Sequence, residues 1–113
     1  NVNFGERYYD FAKLNGWMQV SYKLIKKDNF SYEVKQDGSV HITHNIPEEL
    51  IGARIKFLEF LKLKKIDVLK VEILTSLIYL NMSPMHNEPF DHFIFNLGKL
   101  NLFKSLKDVG IYI

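Results

Sequence analysis

Phe30-Ser31-Tyr32-Glu33-Val34-Lys35-Gln36-Asp37-Gly38-Ser39-Val40-His41-Ile42-Thr43 decides the fold class. Phe30, Tyr32 and Val34 alternate with Ser31, Glu33 and Lys35, and Val40 and Ile42 alternate with Ser39, His41 and Thr43. A period of two is that of a strand with one buried face. Asp37-Gly38 stands between the halves, and both residues tolerate the positive φ that a tight hairpin turn demands. The stretch therefore predicts an antiparallel hairpin.

Upstream, Met18, Val20, Tyr22 and Leu24 alternate with Gln19, Ser21 and Lys23 in the same way. That pattern predicts a further strand and hence a three-stranded antiparallel β-meander, with Gln19, Lys23, Glu33, Lys35 and His41 on its solvent face. Asn3 followed by Glu6 has capping-box spacing. It predicts a helix from Phe4 to Leu14, with Tyr8 and Phe11 inward and Gly16 just past its end.

Downstream, the period changes at Ile46-Pro47-Glu48-Glu49, where proline suits a first helical turn and the carboxylates suit the positive end of the helix dipole. A helix is predicted from Pro47 to Leu63. Its apolar residues Leu50, Ile51, Ile55, Phe57, Leu58, Phe60 and Leu61 cover an arc of roughly 220°, wider than one buried face needs. Packing on two sides is the expectation. Arg54 falls inside that arc, and a guanidinium there needs a partner. The expected structural answer is a side chain that snorkels to water or a buried ion pair with Glu72 or Asp91, and a carboxylate or phosphate of a ligand is the alternative.

From Asp67 to Met82 two periods compete. Leu69, Val71 and Ile73 alternate with Lys70 and Glu72, whereas Ile66, Leu69, Ile73, Leu77 and Leu80 keep helical spacing over the whole length. The longer pattern favours a helix capped near Asp67. Asn81 to His92 is a polar segment between apolar runs, and Asn87 is expected to cap a helix over Pro89 to Lys107. Phe90, Phe93, Ile94, Leu97 and Leu100 form its inner face, and Gly98 is expected to weaken it, by about 1 kcal/mol, or to break it. Gly110 to Ile113 is expected to form a short terminal strand.

The fold class expected is thus α+β, a single domain spanning residues 1–113, in which the meander packs against flanking helices. At 113 residues and 47% hydrophobic content the chain can bury one core without staples. It has no cysteine, which excludes disulfides, thiolate chemistry and cysteine-ligated zinc and points to a cytoplasmic setting. Asp67, Lys70 and Glu72 interrupt the run from Ile66 to Leu80, well short of the roughly 18 apolar residues of a membrane span. The chain begins with Asn, not Met, and the reading expects residues ahead of it. Lys, Asn, Ile, Phe and Tyr contribute 48 of the 113 residues, as in bacterial low-GC or mobile-element genes.

Fifteen basic and thirteen acidic residues are scattered along the chain, so nucleic acid is a poor fit as partner. RNA binding through Lys23, Lys26, Lys27 and neighbouring aromatics is the weakest alternative. The sequence holds no glycine-rich phosphate loop, nucleophile elbow or paired zinc motif. His86 and His92 are six apart and match no helical ligand pair, and His41 and His44 point to opposite strand faces. No catalytic residue, metal or cofactor is expected. In size and composition the chain resembles, by analogy alone, an immunity protein, antitoxin or phage-borne inhibitor. The expected function is a non-enzymatic protein-binding module that occludes the active site of a partner such as a toxin or nuclease. Its first candidate contacts are His86, Asn87, Glu88, Asp91 and His92 in the loop, a position typical of functional groups on a rigid scaffold. Glu33, Lys35 and His41 on the sheet come second. The main alternative is a small enzyme or ligand-binding domain with a pocket around Arg54 and the 81–92 loop.

Overall fold

Tyr8, Ala12, Asn15 and Met18 are all buried, and their spacing of four, three and three is that of a helix face. The computed structural model describes residues 4–20 and 30–110. Its first helix, α1 (Phe4–Gln19), accordingly runs through Gly16 instead of stopping at Leu14. Gly16 is not a terminator. A Cβ there would lie 3.2 Å from Tyr79 Cε1 and 3.3 Å from Thr75 Cγ2, so glycine allows two helices to approach closely. Met18 and Gln19, expected at the start of a strand, are helical, because the longer helical period prevails over the shorter alternation. Tyr22, Leu24 and the lysines at 23, 26 and 27 lie outside the described residues, as do Asn3 of the expected capping box and residues 111–113 of the expected terminal strand.

The hairpin forms where its alternation placed it. β1 (Phe30–Val34) pairs antiparallel with β2 (Val40–His44), with Phe30 opposite His44, Tyr32 opposite Ile42 and Val34 opposite Val40. Among the described residues the sheet has two strands. In the turn, Gly38 has φ +86° and its N–H donates to the Lys35 carbonyl at 3.0 Å. The Asp37 carboxylate accepts from the Ser39 hydroxyl at 2.6 Å and the Ser39 N–H at 2.9 Å, which holds its pKa below the ordinary value. On the outer face the Ser31 and Thr43 hydroxyls pair, and Glu33 stands opposite His41.

Three helices follow. α2 (Glu48–Leu63) begins after Pro47 with Glu48 and Glu49 in its first turn. α3 (Val68–Met82) is a helix along its whole length, and the Asp67 carboxylate accepts from the Lys70 N–H at 3.2 Å as its cap. A single 3-10 turn, Ser83–Met85, leads to α4 (Phe90–Asp108), which is preceded by a cis Glu88–Pro89 peptide. Asn87 does not cap α4 through its side chain. Its main-chain carbonyl accepts from the Asp91 N–H at 3.2 Å instead, because Pro89 occupies the capping position. Gly98 does not break α4 either, since it is buried against α3.

α3 is the central element and packs on α1, α2 and α4. One core cluster joins Val20, Tyr79, Phe90, Phe93, Ile94 and Leu97 beneath Phe30 and Ile42 of the hairpin. The Phe30 ring lies 4.8 Å from that of Phe93 and 5.4 Å from that of Phe90. The other cluster joins Tyr8, Ala12, Leu61 and Val71, with Phe11 and Phe57 packed alongside. The hairpin thus covers α4, and among the described elements α2 has neighbours, α1 and α3, on one side only. Two-sided packing of α2 is corrected accordingly: Leu61 is its one buried side chain, while Ile51, Ile55 and Leu63 are 45%, 53% and 82% exposed.

His44 is half-buried on the inner face of the hairpin, its ring 5.3 Å from that of Phe93. Burial lowers its pKa from the ordinary 6.5, because the charged form loses solvation. A folded pKa below the unfolded one means that stability is present above 6.5 and declines as pH falls toward the folded pKa, where the unfolded chain binds the extra proton. Urea unfolding at pH 7.5 and pH 5 should show this decline, and His44→Phe should flatten it. An unchanged pH dependence in the variant would place the effect elsewhere.

Candidate functional site

The loop residues are divided between two places. Glu88, Asp91 and His92 converge at the start of α4. His92 Nε2 is 3.3 Å from Glu88 Oε1 and 3.9 Å from Asp91 Oδ1, and the His92 N–H donates to Asp91 Oδ1 at 2.7 Å. The imidazole stacks on the Tyr32 ring at 5.5 Å with an interplanar angle of 18°. That stack ties the hairpin to the helix start, while Glu33, Lys35 and His41 stand exposed at the opposite strand parity, on the outer face. His86 is elsewhere, with its ring edge-on to Phe90 at 4.8 Å, and Asn87 is exposed.

Glu88, Asp91 and His92 each offer one donor atom, and the three donors lie within 4.8 Å of one another. Carboxylate and imidazole are the donor types a divalent cation takes. The contacts of His92 with its two neighbours already account for the arrangement, and a cation would have to displace them.

Arg54 has the carboxylate expected of it. Its Nη2 donates to Glu72 Oε1 at 2.7 Å, and Asp91 takes no part. The centre of this network is Asn15, which is fully buried. Asn15 Oδ1 accepts from Arg54 Nε at 2.9 Å, and Asn15 Nδ2 donates to Glu72 Oε1 at 2.6 Å and to Thr75 Oγ1 at 3.0 Å. Three helices are joined by side chains that leave no buried polar side-chain atom unpaired among the described residues. Nothing in the sequence marks Asn15 beyond its phase with Ala12 and Tyr8, since a polar residue on a helix reads as surface.

An apolar pocket of about 210 Å³ opens between α1, α3 and the start of α4. Trp17, Tyr79, His86 and Phe90 are among its walls, and Arg54 is not. The expected pocket around Arg54 and the loop is therefore displaced, because Arg54 is held in the α1–α2–α3 network. The Tyr79 hydroxyl donates to the Gly16 carbonyl at 2.7 Å, and burial pushes its pKa far up, so the phenol keeps its proton. A shallower groove of about 280 Å³ lies between β2 and α4, lined by Val40, Ile42, Leu100 and Phe103.

The largest feature that the sequence reading missed is on α2. Ile51, Ile55 and Leu58 recur at i, i+4 and i+7 and form one strip, of which Ile51 and Ile55 are exposed. Leu63 continues the exposed apolar surface at the end of the helix. The signal was present in the excessive apolar arc; only the number of neighbours was misjudged. No helix among the described residues is long and apolar enough to cross a membrane. Comparison with protein-family models, with curated proteins and with solved structures finds no match for this chain.

Proposed function

We propose that this chain is a protein-binding module of the immunity or antitoxin kind, which acts in the cytoplasm and neutralises a partner such as a toxin or nuclease by covering its active site. The observation that carries the reading is the free apolar strip of α2. Ile51 and Ile55 stand open to water beside Glu48, Glu59 and Lys62, and an apolar centre with a charged rim is the usual anatomy of a protein interface. Each such side chain contributes roughly 25 cal/mol per Å² of surface removed from water, which a partner gains on docking. Glu88, Asp91 and His92 supply a charged patch suited to steering the encounter, with His86 and Asn87, and Glu33, Lys35 and His41 on the outer face of the hairpin, as further candidate contacts.

The test is a pull-down of the tagged chain from lysate of its source organism, read by mass spectrometry, with the Ile51→Glu/Ile55→Lys variant in parallel. Both positions are solvent-exposed, so each substitution should change stability by less than about 0.5 kcal/mol. The wild type should capture one stoichiometric protein that the variant loses. Glu88→Lys/Asp91→Lys should keep that partner and slow its association about tenfold at low salt. Equal capture by wild type and the α2 variant would refute the α2 strip as the docking surface.

A further inference from the structure

We infer that the pocket between α1, α3 and the start of α4 binds a small apolar monocarboxylate, such as a medium-chain acyl or arylalkyl acid. This inference stands independently of the α2 surface. The cavity measures about 210 Å³. It exceeds the roughly 150 Å³ apolar cavity that takes up benzene, so a ring with a short chain, or an alkyl chain of similar bulk, fits within it.

The interior dictates an apolar body. Its two hydroxyls are already committed: Thr75 Oγ1 lies 2.9 Å from the carbonyls of Ala12 and Val71, and the Tyr79 hydroxyl donates to Gly16. The Tyr79 phenol stays neutral, so no charge develops inside. A carbonyl or amide on the buried part of a ligand would find no donor in these two hydroxyls and would be selected against.

The rim dictates the headgroup. Among the described wall residues Lys13 is the one formally charged side chain and none is a carboxylate. Its Nζ lies 5.3 Å from the centroid of the Tyr9 ring, and it forms no ion pair among the described residues. His86 also lines the pocket and adds a ring nitrogen to its wall. One ammonium suits a monoanion, whereas a phosphate would call for a denser set of cations or a converging group of backbone N–H donors.

The test uses octanoate and octanol as probes on the full chain, with two readouts. Trp17 is the chain's single tryptophan and forms part of the pocket wall, so its fluorescence reports occupancy directly. Thermal unfolding reports stabilisation by a ligand that binds the folded state. Both probes should give saturable fluorescence changes and raise the melting temperature. Lys13→Met should weaken octanoate about tenfold, the loss of one charge-assisted contact, and leave octanol unchanged. Met82→Phe, at a partly exposed wall position, should weaken both probes. Lys13 and Met82 are exposed, and circular dichroism checks that their variants fold. No saturable response to either probe would overturn the inference, as would a Lys13→Met variant that binds octanoate normally. So would concentration-dependent self-association abolished by Met82→Phe, which would assign the pocket to a second copy of the chain.

Discussion

Asn15→Leu is expected to destabilise the protein by about 3–5 kcal/mol, because three hydrogen-bonding groups each lose a partner at about 1–3 kcal/mol apiece, less where water reaches them. Leucine keeps the branched four-atom skeleton of asparagine, so the loss reports the hydrogen bonds together with a smaller overpacking cost. Removing the amide takes one acceptor from Arg54 Nε and one donor each from Glu72 and Thr75. Arg54 and Glu72 are 27% and 30% exposed, so water partly compensates them if either partner is changed singly. Arg54→Met should therefore cost less, about 1–2 kcal/mol, and its effect should not add to that of Asn15→Leu, because the two residues share one network. Urea unfolding of the two single variants and the double variant measures all three values. A loss below about 1 kcal/mol for Asn15→Leu would mean that the network is solvated and contributes little. If Arg54→Met kept full stability while losing a ligand, Arg54 would be a binding group and not a structural one.

Gly98→Val is expected to cost about 3 kcal/mol, at the upper end of overpacking effects, and Gly98→Ala about 1–2 kcal/mol. In an isolated helix alanine would be better than glycine by about 1 kcal/mol, so the sign is decided by the neighbours. A Cβ at Gly98 would lie 3.0 Å from the Ser76 carbonyl oxygen, 3.1 Å from Tyr79 Cβ and 3.2 Å from Leu80 Cδ2. Two of these three atoms are fixed to the α3 backbone, and relief requires the helices to separate. Gly52 provides the control. Nothing lies within 4 Å of its notional Cβ, and Gly52→Ala should stabilise by about 0.5–1 kcal/mol through helix propensity alone. Thermal melts of Gly98→Ala and Gly52→Ala should therefore shift in opposite directions. A stabilised Gly98→Ala would show that α3 and α4 are not held as closely as described.

These two sites mark where the sequence ceases to disclose the fold. Local chemistry was legible: Asp37-Gly38 placed the hairpin turn, Asp67 the start of α3, and Glu48-Glu49 the start of α2. Arg54 with Glu72 was also legible, since a guanidinium in an apolar arc needs a carboxylate. What depends on which helix meets which was not. Gly16 and Gly98 read as stops or weak points, yet both are contact points whose meaning comes from Tyr79 on another helix. Met18 read as the start of a strand because its own helix is held by Asn15, a residue whose burial only tertiary structure discloses. Of the candidate contacts, Glu88, Asp91 and His92 are brought together by the turn into α4, while His86 is drawn to the pocket by Phe90. The width of the α2 arc was read correctly and its cause was not: the surplus apolar face is open.

The most direct test of the proposed function is amide hydrogen exchange of the chain alone and in complex with its captured partner. Docking on the free strip predicts added protection across residues 50–63, in a helix whose one-sided packing leaves it among the readily opened parts of the fold. Protection confined to residues 30–44 and 86–92, with α2 exchanging as in the free chain, would contradict the account.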